Sequence, residues 1–193
     1  MLRSEGRFCS TINRRPVRGR SMRDLLGFTV IVAVRLHDLV GRPLGYCGRR
    51  LDPKEIALWG KWRFPKNFPK SDCLFSAHRA YPFRQGGLVV VECPWAAMRL
   101  SQAGIPGTVA LLGTHMSEVQ AAWLAKARSI LLLLDGDAAG HEATDRLKAT
   151  LSRRTRVRTY RLPDGLEPED LVDDELRRIV IQVFSSIAGS PQG

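Results

Sequence analysis

Acidic side chains are scarce in this chain: 19 Asp and Glu stand against 30 Lys and Arg, for a net charge of +11 and a pI near 10.3. Aromatics are few as well, at 7% of 193 residues, and cysteine is confined to Cys9, Cys47, Cys73 and Cys93. Cysteines this sparse and scattered argue against a disulfide framework and a paired-cysteine zinc site, so a reducing cytoplasm is expected and zinc is not. No apolar run approaches the roughly 20 residues needed to cross a bilayer. The longest, Phe28–Val34 and Leu131–Leu134 with their neighbours, are strand-sized, and no membrane partner is expected. The four histidines, His37, His78, His115 and His141, show no ligand spacing, and no histidine is placed to activate Cys93 as a nucleophile. An apolar share of 44% excludes a disordered or collagen-like chain and suits one compact domain or two small ones.

The cations are concentrated at one end. Residues 1–84 carry 18 Lys and Arg against 6 Asp and Glu, whereas residues 85–193 carry 12 against 13. A surplus of this size attracts polyanions by counterion release, and arginine suits bidentate phosphate contacts, so nucleic acid is the expected partner; a solvated cationic face is the alternative. Residues 1–27 are expected to be a basic arm, with seven arginines and one acid in the first 23 positions. Residues 28–84 form a small basic α+β unit in this reading. FTVIVAVRL and PLGYCGRRL flank a turn, predicting an antiparallel hairpin, and ALWGKWRFPKNFPK predicts a second extended stretch. There Lys61, Arg63, Lys66 and Lys70 are interleaved with Trp59, Trp62, Phe64 and Phe68, a pattern that serves either base stacking and phosphate contact or a packed core with a wet cationic face.

From Gly87 the pattern changes to short apolar runs alternating with amphipathic segments. LVVVE (88–92), TVALL (108–112), SILLLL (129–134) and RVRTYRL (156–162) read as strands, separated by helices that Pro94 and Ser117 open. Such alternation predicts an α/β fold with a mainly parallel sheet and flanking helices over residues 85–183, followed by a polar tail, 184–193. The acids fall at strand ends: Glu92 after the first strand, Asp135 and Asp137 after the third, and Glu167, Glu169 and Asp170 after the fourth. In a parallel sheet these ends share one edge, so the three groups should meet around a hard divalent cation, Mg²⁺ or Mn²⁺. Taken singly, each is explained by a helix cap, a turn or a wet loop; their coincidence favours the metal site.

The run VVVECPWAAMRLSQAGIPGTVALLGTHMSEVQAAWLAKARSILLLLDGDAAGHEA resembles a Toprim domain of the DnaG-like bacterial DNA primase kind, in which a glutamate ends the first strand and a DxD motif follows the third. LPDGLEPEDL resembles the acidic loop of the same site, and GYCGR and KWRFP resemble motifs of the basic subdomain that precedes it in the primase catalytic core. The resemblance implies a Rossmann-like Toprim fold and divalent-metal-dependent nucleotidyl transfer, with short RNA primers made on single-stranded DNA from nucleoside triphosphates. It implies catalytic and metal-binding roles for Glu92, Asp135 and Asp137, completion of the acidic site by Glu167 and Glu169, and phosphate contact through Arg49 and Lys61. Arg63 and Lys66 extend that contact in the basic stretch. Two positions depart from the family: its glutamate is usually followed by glycine and, four positions on, by aspartate, where this chain has Cys93 and Ala96. The family's zinc-binding module is not expected here, which brings in a separate zinc-module protein or a replicative helicase as partner. The alternatives are a catalytically weakened nucleic-acid-binding remnant of a mobile-element primase, or a Toprim nuclease.

Overall fold

The computed structural model describes residues 32–188, so the expected arm (1–27), the first positions of the predicted hairpin and residues 189–193 lie outside the described residues. The small basic unit is a three-stranded antiparallel sheet, β1 (Val32–His37), β2 (Pro43–Arg49) and β3 (Trp62–Arg63), in that order. The β1–β2 turn closes because the Asp38 carboxylate accepts the backbone N–H groups of Val40 at 3.0 Å and Arg42 at 2.8 Å.

The predicted extended stretch over residues 57–70 is corrected here. Only Trp62 and Arg63 form a strand, and residues before them belong to helix α1 (Pro53–Trp59). Asp52 caps that helix, accepting Lys54 N–H at 2.8 Å, and Pro53 supplies a preset φ in its first turn. That start signal outweighs the aromatic alternation, and Trp59 consequently ends up 70% exposed. Helix α2 (Ala77–Ala80), between two short 3₁₀ turns (Lys70–Asp72 and Tyr81–Phe83), leads out of the unit.

The larger unit runs β4 (Leu88–Val91), α3 (Pro94–Gln102), β5 (Thr108–Ala110), α4 (Glu118–Leu124), β6 (Ser129–Leu132), α5 (Ala138–Leu151) and β7 (Arg156–Thr159). A 3₁₀ turn (Pro168–Asp170) and α6 (Asp173–Ala188) complete it, and α6 continues past residue 183, where the tail was expected to begin. All four strands are parallel, as predicted, in the order β5-β4-β6-β7. The strand period of two divides the apolar residues between two buried faces. Val89, Val91, Leu131 and Leu133 pack with Ala97 and Leu100 of α3 and Ile179 of α6. Leu88, Val90, Ile130 and Leu132 pack with Leu124 of α4 and Leu147 and Leu151 of α5. Each fully buried aliphatic side chain contributes about 1.5–3 kcal/mol, which makes this sheet the rigid frame of the molecule.

The two units meet at the β5 edge. Phe75 and Ala110 exchange backbone hydrogen bonds of 2.9 and 3.2 Å, and Val34, Leu36, Cys47, Cys73 and Leu112 form a shared buried cluster. The strand order has one further consequence. The chain leaves the carboxyl end of β4 toward β5 on one side and that of neighbouring β6 toward β7 on the other, which opens a crevice between those two ends.

Candidate active site

Glu92 follows β4 and Asp135 lies just past β6, so backbone topology alone places both at this crevice. A cleft of about 250 Å³ opens there, and Glu92, Asp135 and Glu167 line one side while Lys61, Trp62 and Phe64 of the basic unit line the other. Removal from water and the neighbouring Asp135 and Asp137 charges push the Glu92 carboxyl up to about 7. Burial also raises Asp135 and Glu169, with Lys61 pulling both the other way. Glu92 Oε1, Asp135 Oδ1 and Glu169 Oε2 are buried with no hydrogen-bond partner. Acceptors left in this state require a proton or a cation. The oxygen donors therefore fit a hard divalent ion, although among the described residues no three His, Cys, Asp or Glu side chains stand close enough to enclose one.

The remaining acids are engaged. Asp137 is exposed and caps α5, its Oδ1 accepting Gly140 N–H at 2.6 Å, so the helix-cap role weighed from sequence is present alongside its place at the acidic edge. Glu167 pairs with the Lys61 ammonium across the cleft, so Lys61 meets a carboxylate in the position where a phosphate contact was expected. Glu169 Oε1 lies 3.7 Å from the Cys93 thiol, which burial and the Glu169 charge push up to about 11, leaving it a protonated donor. Ala96 is fully buried in the first turn of α3 and brings no carboxylate.

Glycine makes the acidic edge one piece. Gly136 N–H donates to Leu166 O at 2.8 Å and Gly165 N–H to Gly136 O at 2.7 Å, joining the Asp135 loop to the Glu167 loop. A Cβ at Gly136 would stand 2.2 Å from Pro163 O, so the glycine is required by this close approach, not by the sharp turn that DGD implies by itself. At Gly140 a Cβ would meet Asp135 O at 2.1 Å and Glu92 Oε1 at 3.1 Å. The backbone is strained on the opposite wall: Leu112 holds φ +66, which lets its N–H and that of Gly113 both donate to Glu92 O, at 2.9 and 3.3 Å.

In the basic unit, the Arg49 guanidinium lies 5.5 Å from the Trp62 ring and 5.9 Å from the Trp95 ring, with its Nε buried and unpartnered. Trp62, Phe64 and Phe68 pack against the shared core, so packing claims the aromatics whose alternation was ambiguous. Of the predicted phosphate-contact residues only Lys61 lines the cleft; Arg49, Arg63 and Lys66 do not. Lys70, the last cation of the predicted cation–aromatic pattern, lines the cleft and lies 3.8 Å over the Phe64 ring. Sequence reasoning missed three contributors: Trp95 braces Arg49, Leu112 carries the strain, and the buried Arg50 donates to the carbonyls of Trp59, Gly60 and Trp62 at 3.1, 2.9 and 3.3 Å. The doubled arginine after GYCG was a signal for Arg50; nothing in a Leu-Leu-Gly run announces a left-handed leucine.

Residues 89–172 match a Toprim-like family model. A DNA primase from Aquifex aeolicus (strain VF5) is 31% identical over 166 residues, covering 82% of this chain and 33% of that protein. The crystal structure of the Aquifex aeolicus primase, with its zinc-binding and RNA polymerase domains, superposes with a TM-score of 0.67 at 30% identity, over 78% of this chain and 40% of that one. A DnaG primase catalytic domain bound to single-stranded DNA gives a TM-score of 0.65 at 26% identity, over 81% of this chain and 51% of that one. The chain thus spans about a third of the length of the first of these curated relatives, and what it shares with them is the Toprim-bearing catalytic-core region.

Proposed function

We propose that this chain, a Toprim-like domain with a primase-type basic unit docked on its β5 edge, joins ribonucleotides on a single-stranded DNA template at the acidic cleft. The observation that carries the reading is the set of three buried, unpartnered carboxylate oxygens, on Glu92 after β4, Asp135 after β6 and Glu169 in the turn after β7, with Lys61 and Lys70 in the same cleft as Glu92 and Asp135. Glu92, Asp135 and Glu169, with Asp137 at the margin, are the residues that would hold a divalent ion, Mg²⁺ or Mn²⁺ by the hardness of their oxygens. Such an ion offsets phosphate charge in nucleotidyl transfer. The chain's own residues supply the rest. Arg49, braced between two indoles, presents its donors to phosphate; Lys61 exchanges Glu167 for an incoming phosphate; Glu92 either helps hold the ion or, when not ligating it, takes or gives a proton at the reacting hydroxyl. Arg63 and Lys66 contact the template outside the cleft. Cys47, Cys73 and Cys93 are free thiols, in keeping with work in the cytoplasm, and no helix among the described residues is long and apolar enough to cross a membrane.

A second reading, a nucleic-acid-binding protein descended from a mobile-element primase with weakened catalysis, is favoured by Ala96 and by the Cys93 thiol resting on Glu169. One experiment separates them: incorporation of labelled ribonucleotides on single-stranded DNA, with Mg²⁺ or Mn²⁺, by the wild type and by Asp135→Ala/Asp137→Ala. Product from the wild type that falls about 100-fold or more in the variant supports the enzyme. No product from either, with DNA binding intact, supports the second reading. Shortened DNA in the same gel would mark a nuclease.

A further inference from the structure

A second cavity of about 390 Å³ opens beside Trp95, where β1, the segment before α2 and the α3 face converge. Its lining includes Arg35, His37, His78, Arg79 and Trp95, and among the described residues that line it there is no carboxylate. Asp38, the nearby acid, is occupied by Arg42, whose Nε donates to it at 2.7 Å. The His37 and His78 rings lie 4.7 Å apart, and His78 Nδ1 is buried with no partner. The backbone is committed to this arrangement. Ser76 holds φ +64 just before His78 and Arg79, and Gly41, at φ +93, lets the turn pass against the His78 ring, where a Cβ would stand 3.2 Å away. Like charges gathered without a counter-ion, around an unfilled hydrogen-bonding position and beside an indole, lack an anionic aromatic partner.

We propose that this cavity binds one nucleotide unit, its phosphate held by Arg35, Arg79 and the two histidines and its base set against Trp95. Arg49 stands beside both Trp62, which lines the acidic cleft, and Trp95, which lines this cavity, so a single strand running from one to the other passes the Arg49 guanidinium. The choice of nucleic acid as ligand rests on the proposed function; the cavity and its charge do not. The chemistry belongs equally to a unit within a strand and to a free nucleotide.

The test measures binding of fluorescent oligothymidylate and of a fluorescent ATP analogue to the full chain by anisotropy, for the wild type, Arg35→Ala/Arg79→Ala and a control. The control, Arg128→Ala/Arg153→Ala, removes the same charge from exposed positions preceding β6 and β7, at the opposite edge of the sheet. The cavity variant is expected to bind the strand about tenfold more weakly at physiological salt, with the control within about twofold of wild type. Loss of the ATP analogue alone, with the strand unaffected, would support the same site with a free nucleotide as its ligand. Equal losses in the cavity variant and the control, or none in either, overturn the proposal. Ultraviolet crosslinking of a 5-iododeoxyuridine strand gives a readout independent of variant folding: adducts on Trp95 support the site, and adducts confined to the acidic cleft overturn it.

Burial holds both histidines below their ordinary pKa against the pull of Asp38, joined at His37 by His78, Arg35 on β1 and Arg79 on α2, and at His78 by Arg79. A bound phosphate reverses that balance. Strand affinity should therefore rise between pH 8 and 6 in the wild type and lose that rise in His37→Asn/His78→Asn; an unchanged slope counts against the histidines' part. Ribonucleotide incorporation is scored separately, so failure of the polymerase reading with cavity-dependent binding intact, or the reverse, is visible.

Discussion

The two halves of the molecule hold their functional side chains by different means. In the parallel-sheet half, Glu92 and Asp135 stand on backbone just past two adjacent, fully buried strands, and no side chain is needed to bring them together. In the basic half, β3 is two residues long, and Arg49, Lys61 and Trp62 are kept in place by Arg50 on three carbonyls, by indole stacking and by an ion pair reaching across to Glu167. Fixed charge of one sign is thus built into the frame, and mobile charge of the other sign is hung on stapled loops. A site that must draw in a polyanion and release it gains from this division, because the carboxylates stay placed while the cations exchange partners.

Three substitutions probe that contrast. The largest effect is expected from Gly136→Ala, which forces a Cβ to within 2.2 Å of Pro163 O and parts the two acidic loops; we expect about 3–4 kcal/mol lost in urea unfolding and loss of metal-dependent activity. A neutral result would show that the acidic edge is softer than its hydrogen bonds indicate. Next, Arg50→Ala should cost about 2–3 kcal/mol by stranding three carbonyls. It should weaken oligonucleotide binding while leaving Mn²⁺ binding, read by electron paramagnetic resonance, near wild type. Equal losses of both would erase the distinction between the halves. The smallest effect concerns Glu92. Its folded pKa, about 7, lies above its ordinary 4.5, so the folded state holds the extra proton between those values and metal-free stability falls as pH rises through that window. Glu92→Gln should remove that slope and stabilise the metal-free protein at pH 8 by about 2 kcal/mol. An unaltered slope would place the uncompensated charge elsewhere.

Much of the frame was legible because unbroken apolar runs such as LVVV and ILLLL, alternating with amphipathic helices, bury both faces in a covered parallel sheet, and their ends then share an edge. Glu92 and Asp135 follow from that logic. Arg49 was reached through resemblance and Lys61 through both the cation–aromatic pattern and resemblance, and Lys61 proved to face Glu167. What remained hidden depended on tertiary contact. Trp95 reads as an ordinary helix residue until Arg49 lies over it, and the reason for Gly136 appears only once Pro163 is seen beside it. Asp52-Pro53 did announce α1, and the aromatic pattern that followed drew attention away from it.

Gly140 occupies the first turn of α5, where alanine would ordinarily favour the helix. Directed evolution for thermal tolerance would find that position closed, since the space a methyl group needs is already filled by the Asp135 carbonyl and a Glu92 oxygen. A library selected only for heat resistance and allowed to repack this turn should therefore accumulate variants that melt later and have lost the carboxylate spacing, an inexpensive way to learn whether the acidic edge is maintained for chemistry or merely tolerated.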